Sequence, residues 1–494
     1  MQTRRTFLRT SALTAGGAAL AMGPGAALAA DRGRAGLGPL VKDPRGLLDL
    51  PRGFRYRVVQ SVEDKLSNGA PVPGDFDGMM AVAGPRGHTL LVRNHELGTR
   101  DTDKHEVPQG NPYASGAPGG TTALLVGSDG RLARSYVSSS GTLNNCAGGG
   151  TPWGTWITCE EDQTANHGYA FEVDPRRPES TVSKTPIRDM GFYSHEAIDI
   201  DPRTGIAYLT EDDFRGEQVA PEDEVPGTTR SSFLFRFLPD NRAQRPGALQ
   251  EGGRLQAMSI RGRPQYNIDL GYTRERFRVV WVDVNPEAAH DDALAKGAAR
   301  FQRLEGTHFA GGAFWFDDTS GGQARQGQIF RLIPSGDPAG GGVDRLELYL
   351  EAERERQLDS PDNLVITPWG DVWVAEDGDG TQRIMGITPD GRTYSFARNR
   401  LLGLDEDTSS EFAGPCFSPD GRTFYVNVQD PGHTFAITGP FPRASARGVR
   451  QAAVSAPRHA WAPDVSGELG EQAIKAGMSP YEAAAFDRLG VAIA

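Results

Sequence analysis

One pattern returns six times along the chain. It is a Pro/Gly turn, a short alternating apolar strand, then an acidic or amide cluster. The copies are GPRGHTLLVRNHE (84–96), TPWGTWITCEE (151–161), DPRTGIAYLTEDD (201–213), GGAFWFDD (311–318), TPWGDVWVAEDG (367–378) and SPDGRTFYVNVQD (418–430). Pro and Gly set a β-turn, and the period-two residues that follow suit a strand. A single such strand cannot bury its apolar side. Repetition around an axis solves this, and a β-propeller is the closed solution with short, protected edges. The expected fold is therefore all-β, a six-bladed β-propeller with long loop insertions at 214–232, 240–300 and 320–345. The 62 glycines and 34 prolines fit a chain with that many corners.

A second element keeps phase with the first. One ligand-type residue stands ahead of each copy, in the loop entering the first strand of the blade: Asp77, Cys146, Glu196, Glu305, Asp362 and Glu411. In a propeller the first strand of each blade lines the channel. Residues spread over hundreds of positions then meet at one mouth. Carboxylates and a thiol gathered there would repel one another if bare and ionised, and cations remove that repulsion. The bland alternative is six surface turns that favour Asp and Glu.

The donor types narrow the metals. Glu96, Glu161, Glu211, Asp212 and Glu376 offer hard oxygen ligands that suit Ca²⁺ or Mg²⁺. Cys146 suits a softer transition metal, iron or zinc among them, or else is a buried apolar residue in a Gly-rich turn. Cys159 and Cys416 lie in apolar strands and read as core. Such a multi-cation site can bind and orient an anionic substrate and activate a bound water, the services phosphoryl transfer needs. Arg303 is either a planar fork for phosphate oxygens or one half of a surface ion pair. His95 and His195 each precede a proposed ligand and point to the other side of an alternating strand.

Other classes fit poorly. The net charge is −12 and the body of the chain carries no basic run, which argues against nucleic acid. There is no GxSxG elbow and no GxxxxGK[ST] loop. Residues 1–30 carry Arg4-Arg5, a weakly apolar stretch and Ala27-Leu28-Ala29, which read as a twin-arginine export signal. The translocation machinery of that route is then a partner, with the periplasm or the extracellular space as destination and no stable membrane insertion. Residues 31–440 form the expected propeller. The tail 441–494, with a short helical stretch at 480–486, either closes the structure or packs on its outside.

Several stretches resemble the PhoX alkaline phosphatase family. They are Asn145-Cys146-Ala147-Gly148-Gly149 with Thr158-Cys159-Glu160-Glu161, Ser194-His195-Glu196-Ala197, Arg303-x-Glu305-Gly306, Pro361-Asp362-Asn363 and Glu411-Phe412-Ala413-Gly414-Pro415. The resemblance spans roughly 45–440. It implies a phosphomonoesterase releasing phosphate from organic esters at an iron–calcium cluster, and the chain is expected to be a monomer. In that family a Cys bridges two ferric ions, a role that passes to Cys146. Carboxylate ligation passes to Glu196, Glu305 and Asp362, and phosphate binding to Arg303. The two or three calcium ions fall first to Glu161, then to Glu96, Glu211 and Asp212. The chain departs from the pattern at Gln429-Asp430-Pro431-Gly432, where the family would have His in place of Asp430. The competing readings are a calcium-dependent propeller phosphodiesterase or lactonase, which needs no thiolate, and a non-catalytic exported binding propeller.

Overall fold

The computed structural model describes residues 36–213, 231–336, 342–401 and 409–443. The export signal at 1–30, nearly all of the 214–232 insertion and the 480–486 stretch lie outside the described residues.

Each sequence repeat becomes the second strand of a hairpin. These strands are Thr89–His95, Trp156–Glu160, Ala207–Glu211, Ala313–Asp318, Val372–Glu376 and Thr423–Val428. The turn at the head of each copy reverses the chain. Each second strand therefore pairs antiparallel with the strand before it: Phe76–Ala83, Asn145–Gly150, His195–Ile200, Leu304–Ala310, Pro361–Ile366 and Phe412–Phe417. These six first strands touch one another in a closed ring, from 76–83 round to 412–417 and back to 76–83.

The outer strands correct the expectation of six separate blades. Hydrogen bonding divides the described strands into five sheets of six, three, nine, four and four strands. The nine-stranded sheet arises because Arg276–Asp283 pairs with Gly253–Ile260 on one side and with Arg345–Glu351 on the other. It thereby joins the strands that follow His195–Ile200 to those that follow Leu304–Ala310. The 240–300 and 320–345 stretches, expected as insertions, hold Gly253–Ile260, Arg276–Asp283 and Gln328–Ile333 as sheet strands. Among the described residues the only α-helix is Ala289–Ala295. No helix among them is long and apolar enough to cross a membrane.

The last sheet is closed by chain from the opposite end. Arg55–Ser61 pairs with His433–Thr438. The seam is held by Arg93, buried and hydrogen-bonded to Thr434 (2.8 Å) and Gln60 (3.0 Å), with its guanidinium 3.5 Å from the Phe76 ring centre.

The core is a set of wedges between neighbouring sheets, as the alternating strands dictate. Met80 and Val92 meet Trp156 and Val173, and Ile157 and Ala170 meet Ile198 and Leu209. The two ends of the nine-stranded sheet pack through Tyr208, Phe314 and Phe316. Ile329 meets Leu364 and Val374, and Met79 and Leu91 meet Tyr425 and Ala436. Cys159 and Cys416 fall in these wedges, as core residues should.

Candidate metal centre

All six first strands break register near their start. The break falls between Phe76 and Met79, Asn145 and Gly148, His195 and Ile198, Leu304 and Thr307, Pro361 and Leu364, and Ala413 and Cys416. A bulge leaves residues unpaired and re-aims their side chains. In five strands the first residue after the opening pair is a ligand type: Asp77, Cys146, Glu196, Glu305 and Asp362. These ligand-type residues thus lie inside the first strands, at their bulges, and not in the loops ahead of them.

The sixth strand differs. Ala413 is the last paired residue before its break, so Gly414 takes the equivalent place. Glu411 stands three residues earlier, just ahead of the strand. It reaches the same acidic neighbourhood from another height, alongside Asp377, Asp362 and Asp77.

A small residue follows most of these ligands, because the neighbouring first strand presses close. A Cβ on Gly306 would lie 2.5 Å from the Asp362 carbonyl oxygen, and one on Gly78 would lie 2.7 Å from the Ala147 Cα. Real Cβ atoms do not approach that closely, so these positions require glycine.

Two three-residue groups each offer ligand atoms within 4.8 Å of one another: Cys146, Glu161 and Glu196, and Glu196, Glu305 and Asp362. Glu196 belongs to both. Its carboxyl is pushed well above the usual range by burial, then by Glu305 and Asp362. Glu305 is raised by burial and Asp212, with Arg303 opposing. Asp362 is raised by burial and by Asp77, and Glu161 by burial and Asp212. Burial, Glu196 and Glu161 push the Cys146 thiol up. That thiol faces the carbonyl oxygens of His195 (3.2 Å), Glu196 (3.6 Å) and Cys159 (3.9 Å).

The residues just beyond the second strands make an outer row. Glu96 accepts from Gln429 Nε2 at 2.7 Å and shares a hydrogen bond with Asp77. Asp212 holds Arg303 through Nε (3.0 and 3.1 Å), and the same guanidinium lies 3.0 Å from Glu305. Burial works against the Arg303 charge, yet Glu305 and Asp212 keep its pKa above the ordinary value. It is a half-buried cation beside the acidic groups, not an isolated surface pair.

Glu211, named for calcium from the sequence, is engaged on the other side of its strand. Its carboxylate meets His290 Nδ1 (2.8 Å) and the Phe233 amide (3.1 Å), and Glu211 falls in neither group. Glu376 likewise meets Arg383 and the Asp359 amide. In each pair of adjacent acids the earlier residue clamps a loop and the later one turns inward. The histidines act as core groups. His95 bonds Gly74 O and Thr122 Oγ1, and His195 bonds Gly191 O. At the departure from the family pattern, Asp430 binds Lys104 Nζ (3.0 Å), which also binds Asp75 (2.7 Å). Asp77 and Asp377 complete the acidic neighbourhood. Asp77 was legible as a phase-keeping acid. Asp377 was hidden by its neighbour Glu376.

Charge and donor chemistry fit cations here. A thiol with carboxylates on one side suits a transition metal, and the all-oxygen set suits Ca²⁺. Without cations, burial and neighbouring like charges favour the protonated form of the carboxyls. Glu96 is pushed up to about 7, by burial first, whereas an unfolded Glu titrates near ~4.3. Such a group stabilises the fold fully below its unfolded value, and that contribution is lost as pH rises through the folded value. Chelated protein should therefore melt at a lower temperature at pH 8 than at pH 5, and added calcium and iron should reverse that order. Thermal unfolding of both forms at both pH values checks this; an unchanged order would contradict it.

Comparison with known proteins places the chain. The profile of the family described as alkaline phosphatase PhoX matches residues 35–432. Among solved structures, PhoX of Pseudomonas fluorescens in complex with vanadate, a transition state analogue, aligns with a TM-score of 0.58. That match has 17% identity and covers 80% of this chain and 96% of that one. A gluconolactonase from Xanthomonas campestris aligns at 0.35, with 12% identity over 75% of this chain and 97% of that one. The PQQ domain of pyranose dehydrogenase from Coprinopsis cinerea aligns at 0.32, with 11% identity over 80% and 98%. No curated protein matches the sequence. With the profile running through every one of the ring strands, the chain belongs to the PhoX alkaline phosphatase family.

Proposed function

We propose that the protein is an exported phosphomonoesterase that works at a cluster of iron and calcium ions at the mouth of the ring. The observation that carries this reading is the sharing of Glu196 between a thiol-containing group and an all-carboxylate group, within a chain of the PhoX family. The closed ring of first strands supports a propeller-like arrangement in which the Arg276–Asp283 strand joins two of the hairpins into one sheet.

Cys146, Glu161 and Glu196 would hold transition metal. Glu196, Glu305 and Asp362 would link it to calcium, with Glu96, Asp77 and Asp212 close by. Bound cations would supply Lewis acidity and lower the pKa of a water. The chain's own part is positioning. Arg303 is fixed by Asp212 on one edge, and its remaining N–H groups suit phosphoryl oxygens in a planar fork. The carboxylates fix where charge is balanced, and the close-packed first strands keep that arrangement rigid.

The test is hydrolysis of p-nitrophenyl phosphate beside a diester and a lactone. Monoester turnover should be abolished by chelation and inhibited by vanadate, which the Pseudomonas fluorescens relative binds. Arg303→Met should raise KM for the ester and weaken vanadate inhibition by about tenfold or more, the scale of losing a charge-assisted hydrogen bond, with metal content unchanged. Turnover of the lactone or diester without the monoester would overturn the reading.

A further inference from the structure

The carbonyls of the bulged ligand residues have partners that the sheet does not provide. Asn94 is fully buried on the Thr89–His95 strand, next to last in its run. Its Nδ2 donates to Cys146 O (2.8 Å) and Ala147 O (2.7 Å), both within the bulge of the neighbouring first strand. Its Oδ1 accepts from Trp156 Nε1 (2.8 Å) and Thr158 Oγ1 (3.0 Å). Both donors and both acceptor directions of this amide are used, all on the sheet that carries Cys146.

Two other second strands make a similar contact. Thr210, next to last in Ala207–Glu211, donates to Glu305 O at 2.7 Å. Asn427, next to last in Thr423–Val428, donates to Asp77 O at 2.6 Å. In all three cases a side chain from one second strand holds the backbone of a ligand residue on the next first strand. Asp317 holds the equivalent place on Ala313–Asp318, and a carboxylate has no N–H to give.

We propose that Asn94 is a positioning residue for the Cys146 thiol. It fixes the bulge carbonyls and so aims Sγ at the side of Glu196 and Glu161. Thr210 does the same for Glu305. The inference rests on the proposed metal-dependent function. It differs from that function in assigning ligand geometry to side chains that touch neither metal nor substrate. A bulge is a soft element, and removal of the Asn94 donors frees it to shift.

The experiment uses the full exported protein with its metals. Asn94→Asp keeps the shape and the acceptors and removes both donors. Asn94→Leu removes the amide entirely. Trp156→Phe removes only a donor on the far side of Asn94. Transition metal and calcium per chain, the thiolate-to-metal absorption band, and kcat and KM for p-nitrophenyl phosphate are measured in each. The expected result for the Asn94 variants is loss of at least half the transition metal and of the band. Their kcat falls tenfold or more, with KM within twofold and calcium retained, and Trp156→Phe keeps its metal. Folded Asn94 variants with normal metal content and band would overturn the proposal. If neither Asn94 variant folds, Thr210→Val decides, since it drops a single hydroxyl. Normal metal content and kcat in that variant overturn the proposal, and a selective loss supports it. Wild-type protein without transition metal would instead overturn the underlying functional reading.

Discussion

Cys146→Ser should abolish transition-metal binding and lower monoester turnover by about a hundredfold to a thousandfold, the scale of removing one group that stabilises a transition state. The side chain is 4% exposed and enclosed by three backbone carbonyls. As a thiol it is a weak donor to them. As a thiolate beside Glu161 and Glu196 it would be severely destabilised unless cations were bound. Serine retains the size and a hydrogen bond but not the soft sulfur ligand. The fold should therefore persist while the metal is lost. Circular dichroism, elemental analysis and turnover number on one preparation check this. Full turnover in Cys146→Ser would remove sulfur from the mechanism.

Glu196→Gln should act at two places at once, because its carboxylate serves both groups. Elemental analysis should show losses of both transition metal and calcium, whereas Glu161→Gln should deplete the thiol-containing group alone. The stability effects should have opposite signs in the two states of the protein. Without cations, the Glu196 charge is opposed by burial, Glu305 and Asp362. The neutral amide should then raise the melting temperature of chelated protein at pH 8. With cations present, the same substitution removes a ligand and should lower it. Thermal melts of both variants, with and without chelator, check the reversal. A shift of the same sign in both states would mean that Glu196 holds no cation.

Much of this was legible because the repeat has a physical cause. The six apolar copies are second strands, since period-two patterning and a Pro/Gly turn specify a hairpin. The phase-keeping residues Asp77, Cys146, Glu196, Glu305 and Asp362 occupy one structural position, the bulge. Sequence reasoning went astray where neighbouring letters share chemistry. Glu411 was taken for the sixth ring position, which belongs to Gly414. Only the register break after the pairing of Ala413 with Asn427 distinguishes them. Glu211 and Glu376 were read alongside Asp212, yet adjacent strand residues point to opposite sides. The fused nine-stranded sheet rests on three residue pairs between Arg276–Arg278 and Arg345–Glu347. A link that short and that distant in sequence leaves no periodic trace. Asn94 was overlooked because, set between Arg93 and His95, it reads as one more polar residue at a strand end until its four hydrogen bonds are visible.

Everything here depends on cations lying among side chains from separate strands of one ring. A crystal of the active, exported protein, measured for anomalous scattering above and below the iron absorption edge, tests this most directly. The account requires iron density within coordinating distance of Cys146 Sγ and the Glu196 carboxylate, with calcium near Glu305 and Asp362. An active crystal with no anomalous scatterer at Cys146 would contradict it.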